Sequence, residues 1–519
     1  MRFQLVSDAP RPAWPSTHVA ALSLRLVGRW RASDRAERAA AGALVLLVIA
    51  AIGVRAWLMA IYRPAFLGFS DSSAYLSAAA HNIFADAQHP AGYPFFLRLA
   101  HHLSDQLSFV IVVQHALGVA SGLLLYVSLR RLRVAPWVGL IPAAIVFFGG
   151  TGLLLEHAPL ADPLLTFLQS VAIYAVIRTL DSSALRWPVL AALATGAAFW
   201  VKTIAISSAI LIPVVLLFAA AGNRRRRLLA ASLSTAVVAL MIFAYVGTQA
   251  YFTGRWGYER QSAWNLYGRV ATFADCSRFT PPKGTAFLCP TEPPSRRNTG
   301  NYFQYDAHAP AVRRYHGPAR APGSANAVLQ RFSVAAIEKE PGAYAAAVMR
   351  GLSFYVLPRE GEGYSPQALT DALLDTGTQH TGNSIKARPA VALLYPTSTG
   401  LHYSSGALTA ISWYERHTRL GGAVMFLLLG AALAGPFVLR GRTRTAAVFL
   451  GLTALLSITV AIATNSYDAR YACPTFGPLA ASAALGGWGL ARLLSGAVRR
   501  RAGSVHIARI RRNSGVAGC

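Results

Sequence analysis

Acidic and basic side chains stand at the ends of apolar runs in this chain, where a protein in contact with lipid normally avoids them. Asp71 and His89 lie in the stretch GFSDSSAYLSAAAHNIFADAQHPAGYPFFLRLA, directly after the first long apolar run, whereas Lys202 and Arg470 stand far along the chain. Ionisable groups at membrane depth are costly and usually mark a functional cavity. A carboxylate beside a low-dielectric boundary can act as a base, because desolvation raises its pKa. Lysine and arginine at the same depth can bind a phosphate group.

The composition indicates the kind of protein that must position these side chains. Of 519 residues, 54% are hydrophobic and only 13% are charged, which is typical of a polytopic membrane protein. The net charge of +28 gathers in short arginine clusters between apolar runs, as in cytoplasmic loops. No soluble segment interleaves these basic groups with aromatic residues, so nucleic acid is not an expected partner. The clusters are Arg130, Arg131 and Arg133; Arg224 to Arg227; Arg440, Arg442 and Arg444; and Arg499 to Arg501.

About ten apolar runs are long enough to be read as transmembrane helices, which need about 20 residues each. The stretch 187–222 is apolar except at Lys202 and Thr203, so we predict a tight hairpin at Lys202. Two crossings in this stretch place every arginine cluster on the same side as the N-terminus, as the positive-inside rule requires. The predicted spans lie near 40–62, 107–129, 135–153, 161–178, 187–201, 203–222, 228–250, 420–439, 445–464 and 474–495.

The predicted fold class is an all-α polytopic membrane protein with an external soluble domain. The first apolar run is too long for a signal peptide and is expected to stay as an anchor. Cys276 and Cys289 lie in the external segment, where they either form a disulfide or remain free thiols. The predicted segments are a cytoplasmic basic segment 1–38, a membrane core 39–250 with a first external loop 63–106, an external domain 251–419, C-terminal transmembrane helices 420–495 and a cytoplasmic basic tail 496–519.

This topology places the unusual polar residues on one face of the membrane, the external one. A single such residue could equally cap a helix at the interface, and Asp162 before Pro163 suits that role. Asp468 could simply pair with Arg470. The shared face nevertheless favours a common site. Its members are Asp71, His89, Glu156, His157, Asp162, Lys202, Asp468 and Arg470.

Four short motifs, in order along residues 40–495, resemble the GT-C glycosyltransferases. Asp71 and Tyr75 followed by HPAGYPFFLRL resemble the first external loop of that superfamily, most closely in the branch of protein O-mannosyltransferases and the lipid A aminoarabinose transferase. LADPLLTFLQSVAIYA, GAAFWVKTIAI and NSYDARYACPTFGPLA resemble three later elements. The chain departs from the pattern at Asp162, where glutamate is commoner, and at Lys202, where arginine is usual.

The resemblance implies transfer of a hexosyl or pentosyl group from a polyprenyl-phosphate donor to a glycan, lipid or protein acceptor. The reaction would invert the anomeric carbon at the outer face of the cytoplasmic membrane. Such a transfer needs a base for the acceptor hydroxyl and cations for the departing phosphate. We therefore expect Asp71 to be the base and Lys202 and Arg470 to hold the phosphate. His89, Tyr93 and Tyr471 are further donor-binding candidates.

Asp162 and Glu156 are candidates for a second acid, which in some GT-C branches shares a divalent cation with the first. The sequence leaves the metal open and predicts no other cofactor.

Two other classes of function remain open. A polyprenyl-linked polysaccharide polymerase or ligase would use arginines of a large external loop, for which Arg296, Arg297, Arg313 and Arg314 are available. A transporter of lipid-linked substrates would place charges near the midplane of the membrane and would often contain repeats. The polar groups here lie at one predicted face, and no repeat is evident in the sequence. Loss of the Asp71 carboxylate should impair only the base-dependent transferase severely.

Overall fold

The described residues are mostly helical and form almost no sheet, which confirms the predicted all-α class. The computed structural model describes residues 34–84, 86, 88–254, 256–258, 261–358, 363–376, 382–398 and 400–514. Most of the predicted basic segment 1–38, together with Cys519, lies outside the described residues, as do the side chains of Arg499 to Arg501. Among the described residues, the only paired strands are β1 (Tyr62–Arg63) and β2 (His402–Tyr403).

The described residues between 34 and 254 form ten α-helices. They are α1 (Arg35–Ile61), α2 (Ser70–Ala80), α3 (Gly92–His101), α4 (Leu107–Arg131), α5 (Leu140–Phe148), α6 (Gly150–Glu156), α7 (Asp162–Asp181), α8 (Arg186–Val201), α9 (Ile206–Ala219) and α10 (Arg224–Thr253). The second half contributes α11 (Gln261–Ala271), α12 (Gly300–Tyr305), α13 (Pro310–Tyr315), α14 (Gly323–Lys339), α15 (Pro341–Ser353), α16 (Pro366–Leu373), α17 (Asn383–Leu394), α18 (Ala407–Thr418), α19 (Gly422–Val438), α20 (Gly441–Thr464) and α21 (Cys473–Ser514). Short 3-10 turns lie at Pro136–Gly139, Thr203–Ala205, Ala286–Leu288, Pro294–Arg296, Pro396–Ser398 and Ala469–Ala472.

Several helices are long and apolar enough to cross a membrane, so the chain is a multi-pass membrane protein. Within the described ranges six segments meet this condition, and a bent pair adds a seventh if it is one span. The pair is Pro136–Phe148 with Gly150–Glu156, bent by 55°. The six segments are Arg35–Ile61, Leu107–Arg131, Asp162–Asp181, Arg224–Thr253, Ala407–Val438 and Gly441–Thr464.

The count of ten spans stays a prediction, because three of the predicted runs do not form helices that are both long and apolar enough to cross a membrane. The stretch 187–222 does break at Lys202 as expected, but α8 has 16 residues and α9 has 14. Both are shorter than the roughly 20 residues of a straight crossing. The predicted last span, 474–495, is the beginning of α21, which is not among the segments of the described chain that are apolar enough to cross a membrane.

Contacts divide the chain into two units, Met1–Leu46 and Leu47–Cys519. In the first unit the described residues form the beginning of α1. The second unit contains the remaining helices and the candidate site.

Helices of the segment predicted as an external domain have a hydrophobic core of their own. Trp264 and Tyr267 on α11 are fully buried and pack with Leu329 and Phe332 on α14. Cys276 and Cys289, which the sequence left as a disulfide or two thiols, form a disulfide beside this core. The disulfide closes a short loop and restricts the unfolded chain.

The loop after α1 is held against later parts of the chain. Tyr62 and Arg63 pair antiparallel with Tyr403 and His402, so the loop begins beside residues that precede α18. Gly68 donates its amide hydrogen to Leu373 O and approaches α16 so closely that a Cβ would lie 2.3 Å from Ala372 O. Only glycine fits there, and this contact fixes the start of α2, which carries Asp71.

Candidate active site

Asp71 and Arg470 meet at the centre of the candidate site, although 399 residues separate them. Asp71 lies in the first turn of α2, and Arg470 lies in the 3-10 turn that precedes α21. Nη1 of Arg470 donates to Oδ2 of Asp71 over 2.6 Å, and the side chains are 11% and 13% exposed. Asp71 and Arg470, both predicted for one site, are therefore in direct contact.

Arg470 is held from three directions. Its Nε donates to Oδ2 of Asp468 over 2.8 Å, and its backbone amide donates to Oδ1 of the same carboxylate. The ring of Phe69 lies 4.6 Å from the guanidinium carbon, and the ring of Tyr471 lies 5.5 Å from it. A planar guanidinium can bridge two carboxylates and stack on aromatic rings at the same time, which lysine cannot do. The pairing of Asp468 with Arg470, left open by the sequence, is thus present together with the pairing to Asp71.

His89 approaches Asp71 from the other side. Its Nε2 lies 3.5 Å from Oδ2 of Asp71, and its Nδ1 lies 2.7 Å from Oδ2 of Asp86. Burial lowers the pKa of His89, but the two carboxylates outweigh burial and raise it to about 10. The imidazole is therefore a cation at neutral pH, held between two acids.

The expectation that desolvation raises the pKa of Asp71 is wrong in this arrangement. Burial does favour the neutral acid, but the charges of Arg470 and His89 together hold the pKa of Asp71 well below its usual range. His89 and Arg470 were expected in the same site as Asp71, but their direct contacts with its carboxylate were not. Asp468 differs, because burial raises its pKa more than Arg470 lowers it.

Lys202 and Asp162 form a second ion pair. Lys202 directly follows α8, and its Nζ lies 2.7 Å from Oδ1 of Asp162 at the start of α7. Both groups act electrostatically on Asp468, which places this pair near the first. The end of α8 is brought to the first loop by Gly92, where a Cβ would lie 2.4 Å from Trp200 O.

Two buried polar atoms at this cluster have no hydrogen-bond partner among the described residues. They are Oδ2 of Asp162 and the hydroxyl of Tyr75, whose ring packs against His89 at 4.7 Å. Because buried polar atoms are normally paired, both are available to a ligand.

Tyr93 and Tyr471, the other predicted donor-binding residues, use their hydroxyls within the protein. The hydroxyl of Tyr93, which is fully buried, donates to Oε1 of Gln114 over 2.5 Å. The hydroxyl of Tyr471 accepts from Nδ2 of Asn465 over 2.6 Å. Tyr93 thus supports the wall of the site through the ring of Tyr75, which it contacts edge-on at 4.9 Å.

Glu156 lies apart, in a buried network with Arg55. Nε and Nη2 of Arg55 donate to the two carboxylate oxygens over 2.8 Å each, and Nδ1 of His115 lies 2.9 Å from Oε2. Glu156 and Asp162 line a common narrow cavity of about 40 Å³, but each carboxylate faces its own cation. A Cβ on Gly118 would lie 1.8 Å from Oε1, so the close packing of α4 holds Glu156 in place.

The residues present do not fit a divalent cation shared by the two predicted acids. Asp71 is paired with Arg470 and Asp162 with Lys202, so the nearest partners of both carboxylates are positive. No group of three or more His, Cys, Asp or Glu in the described ranges is arranged to hold a metal ion.

Asp86 belongs to the cluster although it was not among the candidate residues. Its side chain is only 11% exposed and holds His89 three residues later. The spacing of an acid three residues before a histidine was visible in the sequence and could have indicated the contact. Tyr75 was noted as part of a motif, but its unpaired hydroxyl could not be foreseen.

Comparisons with known proteins agree with the predicted relationship. Residues 88–249 match the family model described as dolichyl-phosphate-mannose-protein mannosyltransferase, which confirms the GT-C resemblance over that part of the chain. A comparison with curated proteins found no match.

Among solved structures, similar chains include an archaeal oligosaccharyltransferase and ArnT. The archaeal oligosaccharyltransferase AglB from Archaeoglobus fulgidus, in complex with an inhibitory peptide and a dolichol-phosphate, has a TM-score of 0.42 and 13% identity over 90% of this chain. This chain spans about half of that protein, 54%. ArnT from Cupriavidus metallidurans bound to undecaprenyl phosphate has a TM-score of 0.33 and 14% identity, covering 88% of this chain and 79% of that one.

Proposed function

We propose that the protein transfers a sugar from a polyprenyl-phosphate donor to a hydroxyl group of an acceptor at the external face of the cytoplasmic membrane. The observation that carries the proposal is the meeting of Asp71 with Arg470, with His89, Asp162 and Lys202 close by. The match of residues 88–249 to a family of dolichyl-phosphate-mannose-dependent transferases supports the lipid-linked donor.

The proposed reaction uses the carboxylate of Asp71 as the general base. As Asp71 takes the proton of the acceptor hydroxyl, the oxygen attacks the anomeric carbon and the bond from that carbon to the phosphate oxygen breaks. Polyprenyl phosphate leaves as an anion, whose charge Lys202 and Arg470 stabilise. A single displacement of this kind inverts the anomeric carbon.

Arg470 connects the two halves of this reaction. While it donates to Asp71, it holds the carboxylate ionised and weakly basic. The donor phosphate is a diester with one negative charge, whose two free oxygens can accept both N–H groups of a guanidinium edge, and its charge grows as polyprenyl phosphate leaves. We infer that donor binding draws Arg470 toward the phosphate, so the pKa of Asp71 rises and the base is strengthened only when the donor is present.

The external location is supported by the disulfide. Cys276 and Cys289 form it within the segment 251–419, and such bonds persist in oxidising compartments. We propose that 251–419 is an external domain above a membrane core 39–250 whose first external loop, 63–106, holds Asp71. The segment 420–495 would then supply the C-terminal transmembrane helices, and 496–519 a cytoplasmic tail.

The purified protein should release polyprenyl phosphate from a polyprenyl-phosphate sugar in the presence of acceptor. Replacing Asp71 by Asn should lower turnover by about 10²-fold or more, because it removes the base. Asp105→Asn is the matched control, since its carboxylate belongs to the same loop but is 64% exposed. Full turnover of a folded Asp71→Asn protein would refute the assignment of the base.

A further inference from the structure

A large cleft lies beside the candidate site and is lined by three arginines. Its volume is about 590 Å³, and Arg269, Arg297 and Arg350 line it. No aspartate or glutamate is among the described lining residues. Arg269 lies on α11 and Arg350 on α15, whereas Arg297 follows the 3-10 turn Pro294–Arg296. Three guanidinium groups from separate elements thus converge on one space.

Two of the arginines are fixed by backbone carbonyls. Nε and Nη2 of Arg269 donate to Asn465 O, and Nη1 of Arg297 donates to Ala271 O and Ala274 O. Such bonds to neutral acceptors orient a guanidinium without neutralising it. Three carboxylates outside the lining, those of Asp275, Glu292 and Glu340, act electrostatically on Arg297. They offset part of its charge.

Ser466 provides an independent sign that the cleft takes a ligand. It lines the cleft, is 5% exposed, and its hydroxyl has no hydrogen-bond partner among the described residues. The hydroxyl lies against Gly300, another lining residue, where a Cβ would come within 2.2 Å of it. A glycine therefore keeps the space beside this hydroxyl open, and a buried hydroxyl is normally paired.

The cleft and the candidate site share one wall. Ser466 and Tyr467 line the cleft, and Asp468 and Arg470, next along the same loop, belong to the site. Gly363, another lining residue with φ +59, packs directly against this loop, since a Cβ there would lie 2.0 Å from Tyr467 O. A ligand in the cleft would consequently contact the loop that carries Arg470.

We propose that this cleft binds an anionic group of the acceptor, a phosphate ester or a carboxylate, and so presents the acceptor hydroxyl to Asp71. This inference rests on the proposed transferase function and specifies the chemical class of its acceptor. Guanidinium groups bind both oxyanions through paired N–H donors. The hydroxyl of Ser466 supplies a further donor at the end of the cleft nearer to Asp468.

The test measures protection of a thiol inside the cleft and does not depend on turnover. Ala346→Cys places an exposed thiol on the lining, in full-length protein whose Cys473 and Cys519 are replaced by alanine. The rate of maleimide labelling is measured with glucose 6-phosphate, glucuronate or glucose at equal ionic strength. At least one of the two anionic hexoses should slow labelling in a saturable manner, whereas glucose should not. The more effective anion identifies the phosphate or the carboxylate as the natural group.

Variants separate recognition from general attraction of anions. Arg350→Gln should raise the concentration needed for half-protection about tenfold, because it removes a charged donor. Arg331→Gln is the matched control, since Arg331 is an exposed arginine on α14 outside the cleft lining. Equal protection by glucose, equal effects of the two substitutions, or no protection by any probe would overturn the proposal. Asp71→Asn should retain protection, so loss of turnover and failure of the cleft are distinguishable.

Discussion

At Asp71 the carboxylate faces a guanidinium on one side and an imidazole on the other. Arg470 and His89 stabilise its charge, and Asp86 and Asp468 in turn hold those two cations. The cluster therefore contains three carboxylates and two cations within a few ångströms, all of them mostly buried. Breaking one contact changes the protonation of its neighbours, so each residue must be tested with its partners in mind.

The raised pKa of His89 predicts how stability depends on pH. Because the pKa is 6.5 in the unfolded chain and about 10 when folded, the folded protein binds the additional proton between these values. Its stabilising effect is complete below about pH 6.5 and is lost as pH rises through about 10. Asp71, Asp86 and Tyr75 face the imidazole.

His89→Gln should consequently flatten the fall of the thermal midpoint between pH 7 and pH 10. The measurement is the midpoint of thermal unfolding at several pH values for both proteins in the same detergent. His102→Gln, at an exposed histidine after α3, is the control and should leave the slope unchanged. Parallel curves for wild type and His89→Gln would show that the imidazole is not held as a cation.

The sequence singled out most residues that meet in the candidate site, but not the contacts between them. Asp71, His89, Lys202 and Arg470 stood out because ionisable groups rarely occur beside apolar runs. Their pairing depends on contacts across up to 399 residues, which no local spacing encodes. The pKa of Asp71 was expected to rise and instead falls, because its contacts with two cations could not be read from the sequence.

At the level of the helices, the end of α6 and the start of α7 each carry an acid, and the two acids lie in different environments. Glu156 ends α6 and is paired with Arg55, both about 5% exposed, whereas Asp162 begins α7 with one carboxylate oxygen unpaired. The first arrangement ties α1 to α6 through a buried ion pair. The second leaves an acceptor beside Lys202.

Glu156→Gln should therefore destabilise the protein by about 3–5 kcal/mol, because it leaves the buried charge of Arg55 without its partner. Turnover per folded molecule should change little. Asp162→Asn should do the reverse, with a small loss of stability and reduced turnover through a displaced Lys202. The measurements are thermal unfolding and release of polyprenyl phosphate. If Glu156→Gln lowers turnover while stability is unchanged, Glu156 belongs to the catalytic site.

The helix boundaries show where hydropathy was a sufficient guide and where it was not. Apolar composition predicted α4, α10 and α20 closely, because these helices are long and continuous. It could not show that 135–153 bends by 55° after Phe148, since the run is apolar on both sides of the bend. The break at Lys202 was predictable because a charge and a threonine interrupt the apolar run there.

For the whole molecule, the orientation in the membrane is the property on which the other proposals depend. An external site requires that 251–419 and the arginine-rich turn near 224–227 lie on opposite sides. Ser324, at the start of α14, and Arg225, at the start of α10, are exposed and suit a paired test. Gly363 does not, because its φ of +59 and its contact with Tyr467 would strain a cysteine.

Ser324→Cys should react with an impermeant thiol reagent in intact cells, whereas Arg225→Cys should react only after permeabilisation. Both substitutions are made without Cys473 and Cys519, and the Cys276–Cys289 disulfide leaves no other thiol. The positive-inside rule predicts this difference from the arginines. The opposite labelling pattern would place the site in the cytoplasm and exclude the proposed topology.

The separation between Asp71 and Arg470 also has a consequence for biosynthesis. During translation Asp71 is synthesised long before Arg470, so its carboxylate has no guanidinium partner while most helices insert. His89 follows after 18 residues and can neutralise it in the interim. The loop with Arg470 follows α20, so the contact between Asp71 and Arg470 can form only as one of the last events of assembly. A ribosome stalled before residue 470 would thus hold an inserted protein that has nearly all of its helices and no active site.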